Sequence, residues 1–189
     1  ILSYENDLPQ ELIYNLKLNK KNRIVVSNAY RLVLHNEQDL YGFDLLIDVA
    51  RKIKTNADNI KIILVVSSVE NCKELLFRYI SLINKENLED FITIIPYSIS
   101  FVKLIQKSDL VVRATNTDGD ALTIRESLFF NKPVVASDVI ERPKGTVLFK
   151  NRDSMDLYLK IKENIDNSND VSERFEIDYK EFYRDLYII

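Results

Sequence analysis

Six short apolar runs recur along the 189-residue chain, and the stretches between most of them repeat their apolar residues at helical spacing. The runs lie at 23–27, 59–67, 91–96, 109–112, 134–136 and 146–149. Their near-continuous Val, Ile and Leu suit strands buried on both faces. Between them, 42–54 places Phe43, Leu46, Ile47, Ala50 and Ile53 on one helical face, and 70–84 does the same with Cys72, Leu75, Leu76, Tyr79, Ile80 and Ile83. Further helices are expected at 98–107, 121–130 and 154–165. Such alternation implies right-handed crossovers and a parallel sheet covered on both sides. The fold class expected is α/β, one doubly wound domain of about six strands.

The ends of the chain add less. A short helix is expected over 9–18, with Leu12, Ile13 and Leu16 on one face, and 19–22 reads as a turn. Ser98 or Ser100 is the expected cap of the fourth helix, and Asp153 or Ser154 that of the helix at 154–165. A last helix over 172–186 carries Phe175, Tyr179, Phe182, Tyr183 and Leu186 on one stripe. The segment 28–40 reads as one long polar loop.

Composition narrows the function. The net charge is −3, which supplies no general field for nucleic acid or an anionic membrane. With one Cys and one His, a Cys-rich metal site and a His-based zinc site are not expected. Cys72 reads as core and His35 as a solvated loop residue. No apolar run reaches the length of a membrane span, and the polar start has no signal-peptide pattern. The expected location is the cytoplasm. The first residue is Ile rather than Met, so a piece of a longer chain is expected.

In a doubly wound sheet, ligands bind beyond the carboxyl ends of the strands. The loops there are 27–40, 67–70, 96–98, 113–121 and 137–145. The stretch 109–138, DLVVRATNTDGDALTIRESLFFNKPVVASD, reads as strand, polar loop, helix, turn and strand. A helix starting near Ala121 offers unpaired N–H groups and the positive end of a dipole, which favour phosphate. Gly119 allows close backbone approach. Asp118 and Glu126 stand on either side of the helix start, and carboxylates accept hydrogen bonds from sugar hydroxyls. Equally, Asp118 or Asp120 can serve only as a cap and Glu126 as surface.

DGDALTIRESLFFNKPVVASD resembles the donor-site signature of retaining, polysaccharide-building GT-B glycosyltransferases of the group 1 type. That signature is a Glu, seven residues, a second Glu, a small turn and Pro-Val-Val-Ala. Here Asp118 takes the first acidic position and Glu126 the second. The resemblance implies Glu126 as the ribose ligand and Asp118 as the carboxylate on the donor sugar. It implies that the backbone of Gly119, Asp120, Ala121 and Leu122 faces sugar and phosphate. In Ala29-Tyr30-Arg31-Leu32 it aligns Arg31 with a diphosphate-binding arginine. The sequence departs from the pattern at Tyr41, where the family has Lys, and at Ser67-Ser68, where it has Gly-x-Gly. Another cation is then wanted; Arg113, Arg142 and Lys144 lie on strand-end loops, and Arg142 is assigned to the donor site. Arg125 is expected to make a structural pair.

The resemblance thus implies one Rossmann-like half of a GT-B fold. Residues 1–189 would form a single donor-binding domain, the C-terminal half of a longer enzyme, with 1–20 as interdomain lead-in and 172–189 as the terminal helix. It implies a UDP- or GDP-linked sugar as donor, no cofactor and no metal. The acceptor, a saccharide or a lipid-linked saccharide, would be held by the other half, which also leaves room for peripheral contact with the inner face of the membrane. The implied reaction is sugar transfer in surface polysaccharide synthesis, with the fragment alone inactive. A nucleotide-sugar epimerase domain of the same fold and a degenerate, non-catalytic half are the alternatives. A receiver domain fits poorly, since Asn28-Ala29 and Pro96-Tyr97 stand where it needs acidic residues.

Overall fold

A computed structural model describes residues 8–16, 22–117, 119 and 121–166. The lead-in 1–7, most of the turn at 19–22, Asp118, Asp120 and the helix expected over 172–186 lie outside these residues.

The elements follow in the order α1 (Gln10–Asn15), β1 (Arg23–Ala29), β2 (Leu34–His35), β3 (Gln38–Asp39), α2 (Phe43–Thr55), β4 (Ile60–Val66), α3 (Lys73–Lys85), β5 (Ile92–Ile95), α4 (Phe101–Lys107), β6 (Leu110–Arg113), α5 (Leu122–Phe129), β7 (Val134–Ser137), β8 (Val147–Phe149) and α6 (Ser154–Asp166). All six expected strands form one parallel sheet in the order β5-β4-β1-β6-β7-β8. The chain builds outward from β1 to β5, then crosses to the other side of β1 with β6. That reversal between β1 and β6 is a topological switch point, where loops part and leave a crevice at the carboxyl edge.

Strand alternation sorts the apolar side chains into two cores. Val25 of β1 and Ile62 and Leu64 of β4 face Phe43, Leu46 and Ile53 of α2, Tyr79 of α3 and Ile161 of α6. Ile24, Val26, Ile63 and Val65 face Leu12 and Ile13 of α1, Leu104 of α4, and Ile124 and Leu128 of α5. Both faces are thus covered, and every residue of β4 is buried, Lys61 included. At the amino edge Asp109 fastens β1 to β6. Its carboxylate accepts the Ile24 amide at 2.6 Å and pairs with Arg23 at 3.0 Å.

Several boundaries differ from the sequence reading. The segment 28–40 is not one loop: Asn28 and Ala29 extend β1, paired with Val65 and Val66, and a β2–β3 hairpin follows. Asn36 and Glu37, at φ 49° and 63°, form its two-residue turn, the backbone twist that suits a tight hairpin. The third helix starts at Lys73, not 70, after a turn in which Asn71 has φ 57°. The fourth starts at Phe101; Ser100 holds its cap position, but its side chain makes no cap bond. For α6 the cap is Asp153, whose Oδ1 accepts the amides of Met155 and Asp156, both at 3.0 Å. Among the described residues no helix is long and apolar enough to cross a membrane.

The start of α2 is wedged against the end of β6. Gly42, at φ +71°, precedes the helix, and a methyl group added there would sit 2.3 Å from the Ala114 carbonyl oxygen. The conformation and the contact both demand glycine. Gly42→Ala is expected to destabilise the fold by about 2 kcal/mol or more, read as a lowered urea midpoint. A midpoint equal to that of the wild type would refute the tight contact.

Candidate functional site

Three segments meet where the strand order turns: the end of β1, the turn into α2 and the loop from β6 to α5. Hydrogen bonds fix the second. Asp39 is 1% exposed; its Oδ1 accepts the amides of Tyr41 at 2.7 Å and Gly42 at 3.0 Å, and its Oδ2 accepts the Tyr79 hydroxyl at 2.7 Å. Burial pushes the Asp39 carboxyl above its usual range, against the pull of these donors. The Leu40 carbonyl then accepts the Asn116 amide at 3.0 Å, so this turn braces the loop after β6. The Arg113 guanidinium lies over the Tyr41 ring, 5.3 Å from its centre.

The loop leads into α5, whose cap position holds Ala121, a residue with no side-chain acceptor. The Thr123 hydroxyl in its first turn donates to Asn28 Oδ1 at 3.3 Å, tying the helix to the end of β1. Buried Ile124 and Leu128 hold the helix to the sheet, and Leu122 is 46% exposed at its start. Glu126 follows one turn in and is half-buried. Its side chain makes no hydrogen bond or ion pair among the described residues, and burial alone raises its carboxyl above the usual range. A carboxylate drawn partly out of water with its acceptor capacity unfilled is suited to receive hydroxyl donors from a ligand. In the loop before it, Asn116 Oδ1 is likewise buried with no partner among the described residues.

Arg142 reaches back from the loop after β7. Its Nε donates to the Ser137 carbonyl at 3.2 Å, and its Nη2 to Thr115 Oγ1 at 3.3 Å and Ser137 Oγ at 3.2 Å. The guanidinium is therefore anchored over the ends of β6 and β7. It lines a cavity of about 430 Å³ with Gly119, Ala121, Arg125 and Lys144.

The structure thus brings Gly119, Ala121 and Arg142 to one cavity, at the start of the helix that carries Glu126. Arg31 is exposed and lines a different, larger groove of about 1290 Å³, with Ser68, Lys73 and Arg78. The smaller cavity has the more compact set of groups for an anion, a helix start facing an anchored guanidinium. Arg125, read as a structural pair, also lines it. Sequence reasoning gave no role to Asn28, Thr115 or Ser137, which hold α5 and Arg142 in place. Their polar side chains at the ends of apolar runs are the signal that marks them. His35 is exposed in the hairpin and Cys72 is buried. Among the described residues no three His, Cys, Asp or Glu side chains group as metal ligands.

The sequence pattern of the family "Glycosyl transferases group 1" matches residues 15–180. The chain belongs to that family. No curated protein matches it in sequence. Solved glycosyltransferases share the fold. One from Rickettsia africae superposes with a TM-score of 0.70 at 17% identity, over 92% of this chain and 46% of that one. HepE of Anabaena, crystallised with UDP-glucose, gives 0.65 at 19% identity, over 93% and 51%. The C-terminal domain of the group 1 protein LpcC from Francisella tularensis gives 0.68 at 14% identity, over 100% and 97%. This group 1 chain therefore spans about half the length of the first two, and nearly all of the isolated C-terminal domain.

Glu126 gives the stability of this group 1 chain a pH signature. Its raised carboxyl pKa means that the folded chain holds this proton more tightly than the unfolded chain. Its contribution to stability is fullest below the ordinary value of 4.5 and falls as pH rises from there through the raised folded value. Glu126→Gln removes that loss. The variant's melting temperature should exceed the wild type's by a margin that widens from about pH 4 to about pH 7. A constant margin would contradict the desolvated carboxyl.

Proposed function

We propose that this chain is the donor-binding half of a glycosyltransferase that moves a sugar from a UDP- or GDP-linked donor to a saccharide or lipid-linked acceptor. The observation that carries the reading is the pairing across one cavity of the α5 start with the Arg142 guanidinium, with Glu126, whose side chain has no partner among the described residues, one turn into the same helix. The helix start and Arg142 are assigned to the diphosphate, Glu126 to the ribose hydroxyls and Asp118 to the donor sugar. Gly119, Asp120, Ala121 and Leu122 contribute backbone N–H groups, and Arg31, which lines the separate groove, takes no part in this assignment. The crystallisation of HepE with UDP-glucose and with UDP supports a nucleotide-sugar as the ligand class.

The chemistry follows from where charge develops. As the bond from sugar to diphosphate breaks, negative charge gathers on the departing phosphate oxygens. Fixed N–H dipoles and a guanidinium already in place stabilise that charge without reorganising. With those groups, the reaction as proposed needs no metal. The acceptor is assigned to a second half, as the length of the full-sized relatives suggests, and the product to surface polysaccharide made at the cytoplasmic side of the membrane.

Calorimetric titration of the chain with UDP and with GDP tests the donor site. Saturable binding of one of them is expected. Glu126→Ala should weaken it about tenfold or more, the worth of at least one charge-assisted hydrogen bond to a hydroxyl. No saturable binding to either nucleotide, or equal binding by the variant, would overturn the reading.

A further inference from the structure

The larger groove has no task in the donor site as described. It runs between the segment after β1 and the start of α3, at the same carboxyl edge of the sheet. Its walls are tied together. The Ser68 amide after β4 donates to the Tyr30 carbonyl after β1 at 2.7 Å, continuing the β1–β4 ladder past the end of both strands. The Glu70 amide donates to Ser68 Oγ at 3.3 Å, and buried Cys72 fixes the entry to α3, its amide donating to the Val69 carbonyl at 3.4 Å. A groove with walls fixed in this way needs little ordering when it is filled.

The lining is mixed in a particular way. Arg31, Lys73 and Arg78 supply cations, and Glu70 and Glu74 supply carboxylates. All five are exposed, and none makes a side-chain hydrogen bond or ion pair among the described residues. Glu74 and Arg78 stand four residues apart on α3, so they share one helix face without closing on each other. Lys73 is the first residue of α3, the end of the helix dipole that disfavours a cation and favours an anion near it. Leu34, 50% exposed, and Val69 add apolar surface. Carboxylates accept from hydroxyls, and guanidinium forks hold carboxylate or phosphate. Open donors, open acceptors and apolar patches together match a sugar, and the excess of cations matches one with a negative charge. The volume of about 1290 Å³ exceeds the few hundred to about 1,000 Å³ of a small-molecule pocket, which suits a chain of sugars laid across the groove.

We propose that this groove is a subsite for the acceptor and takes a saccharide bearing an anionic group, a carboxylate or a phosphate. The strand order puts it beside the donor site on one edge: the groove lies at the ends of β4 and β1, the donor cavity at the ends of β6 and β7. The inference rests on the donor-site reading above. It gives this half a share in holding the acceptor, whose reacting end that reading leaves to the second half.

Calorimetry on the chain with tetragalacturonate, glucose 6-phosphate and uncharged maltotetraose tests the subsite, with amide NMR shifts to locate binding. Saturable binding of at least one anionic sugar is expected, at least about fivefold tighter than maltotetraose, with shifts at 31–34 and 68–78. The tighter of the two anionic sugars identifies the charged group as carboxylate or phosphate. Lys73→Gln and Arg78→Gln should each raise the Kd of that sugar about three- to tenfold and move the Kd of UDP or GDP by less than about twofold. Glu74→Ala should also weaken the sugar; tighter binding by this variant would mark mere attraction of anions to a positive surface and overturn the subsite. Equal binding of maltotetraose would overturn the anionic class, and shifts confined to 121–126 would overturn the location. If a nucleotide binds and no saccharide does, this inference fails and the donor site stands. If an anionic sugar binds in the groove and no nucleotide binds, the donor reading fails and the groove stands as a saccharide site.

Discussion

The Ala114 carbonyl lies where a side chain at Gly42 would have to be, 2.3 Å from the first carbon it would carry. The rest of the carboxyl edge is arranged around that contact. It fixes the start of α2 against the end of β6, and the Leu40–Asn116 hydrogen bond continues the brace into the next loop. From there the chain reaches Ala121 and enters α5, already tied to β1 through Thr123 and Asn28. Two helix starts and two strand ends are thus set by close packing together with hydrogen bonds, Asp39 supplying those at the start of α2. Buried Phe43, Ile124 and Leu128 hold the helices down behind them.

Two acids near this edge show what burial does in opposite settings. Asp39 and Glu126 both lie above the usual carboxylate range because they are drawn out of water. Asp39 meets two amides and a tyrosine hydroxyl there, so its oxygens are spoken for within the fold. It acts as an internal anion at the start of α2 and leaves that helix end little to offer a ligand. Glu126 has no such donors among the described residues. The same desolvation leaves Asp39 with its acceptor capacity met within the fold and the Glu126 side chain with its capacity unmet among the described residues. The helix start to watch is accordingly that of α5, not that of α2.

The sheet was legible because each strand is an almost unbroken apolar run, and two-sided burial leaves little else such a run can be. The helices of 42–54 and 70–84 were legible from their stripes. What the sequence concealed depends on contacts between distant residues. The hairpin at 34–39 carries no apolar alternation and owes its form to left-handed Asn36 and Glu37. The extra residues of β1 come from pairing with β4, and Ser100 fails as a side-chain cap although its position is right. The site divides in the same way. The motif around Glu126 could be read from local spacing. That Arg31 belongs to another groove, or that Arg142 is anchored by Thr115 and Ser137, is set by how separate strand ends come side by side.

Asp109 gives the architecture a mechanical asymmetry. It joins β1 and β6 at their amino ends, binding both the Ile24 amide and the Arg23 side chain. These are the strands between which the order turns, so the seam of the sheet is riveted at one end and lined with loops at the other. Any displacement of those loops pivots about a fastening that lies a strand's length away.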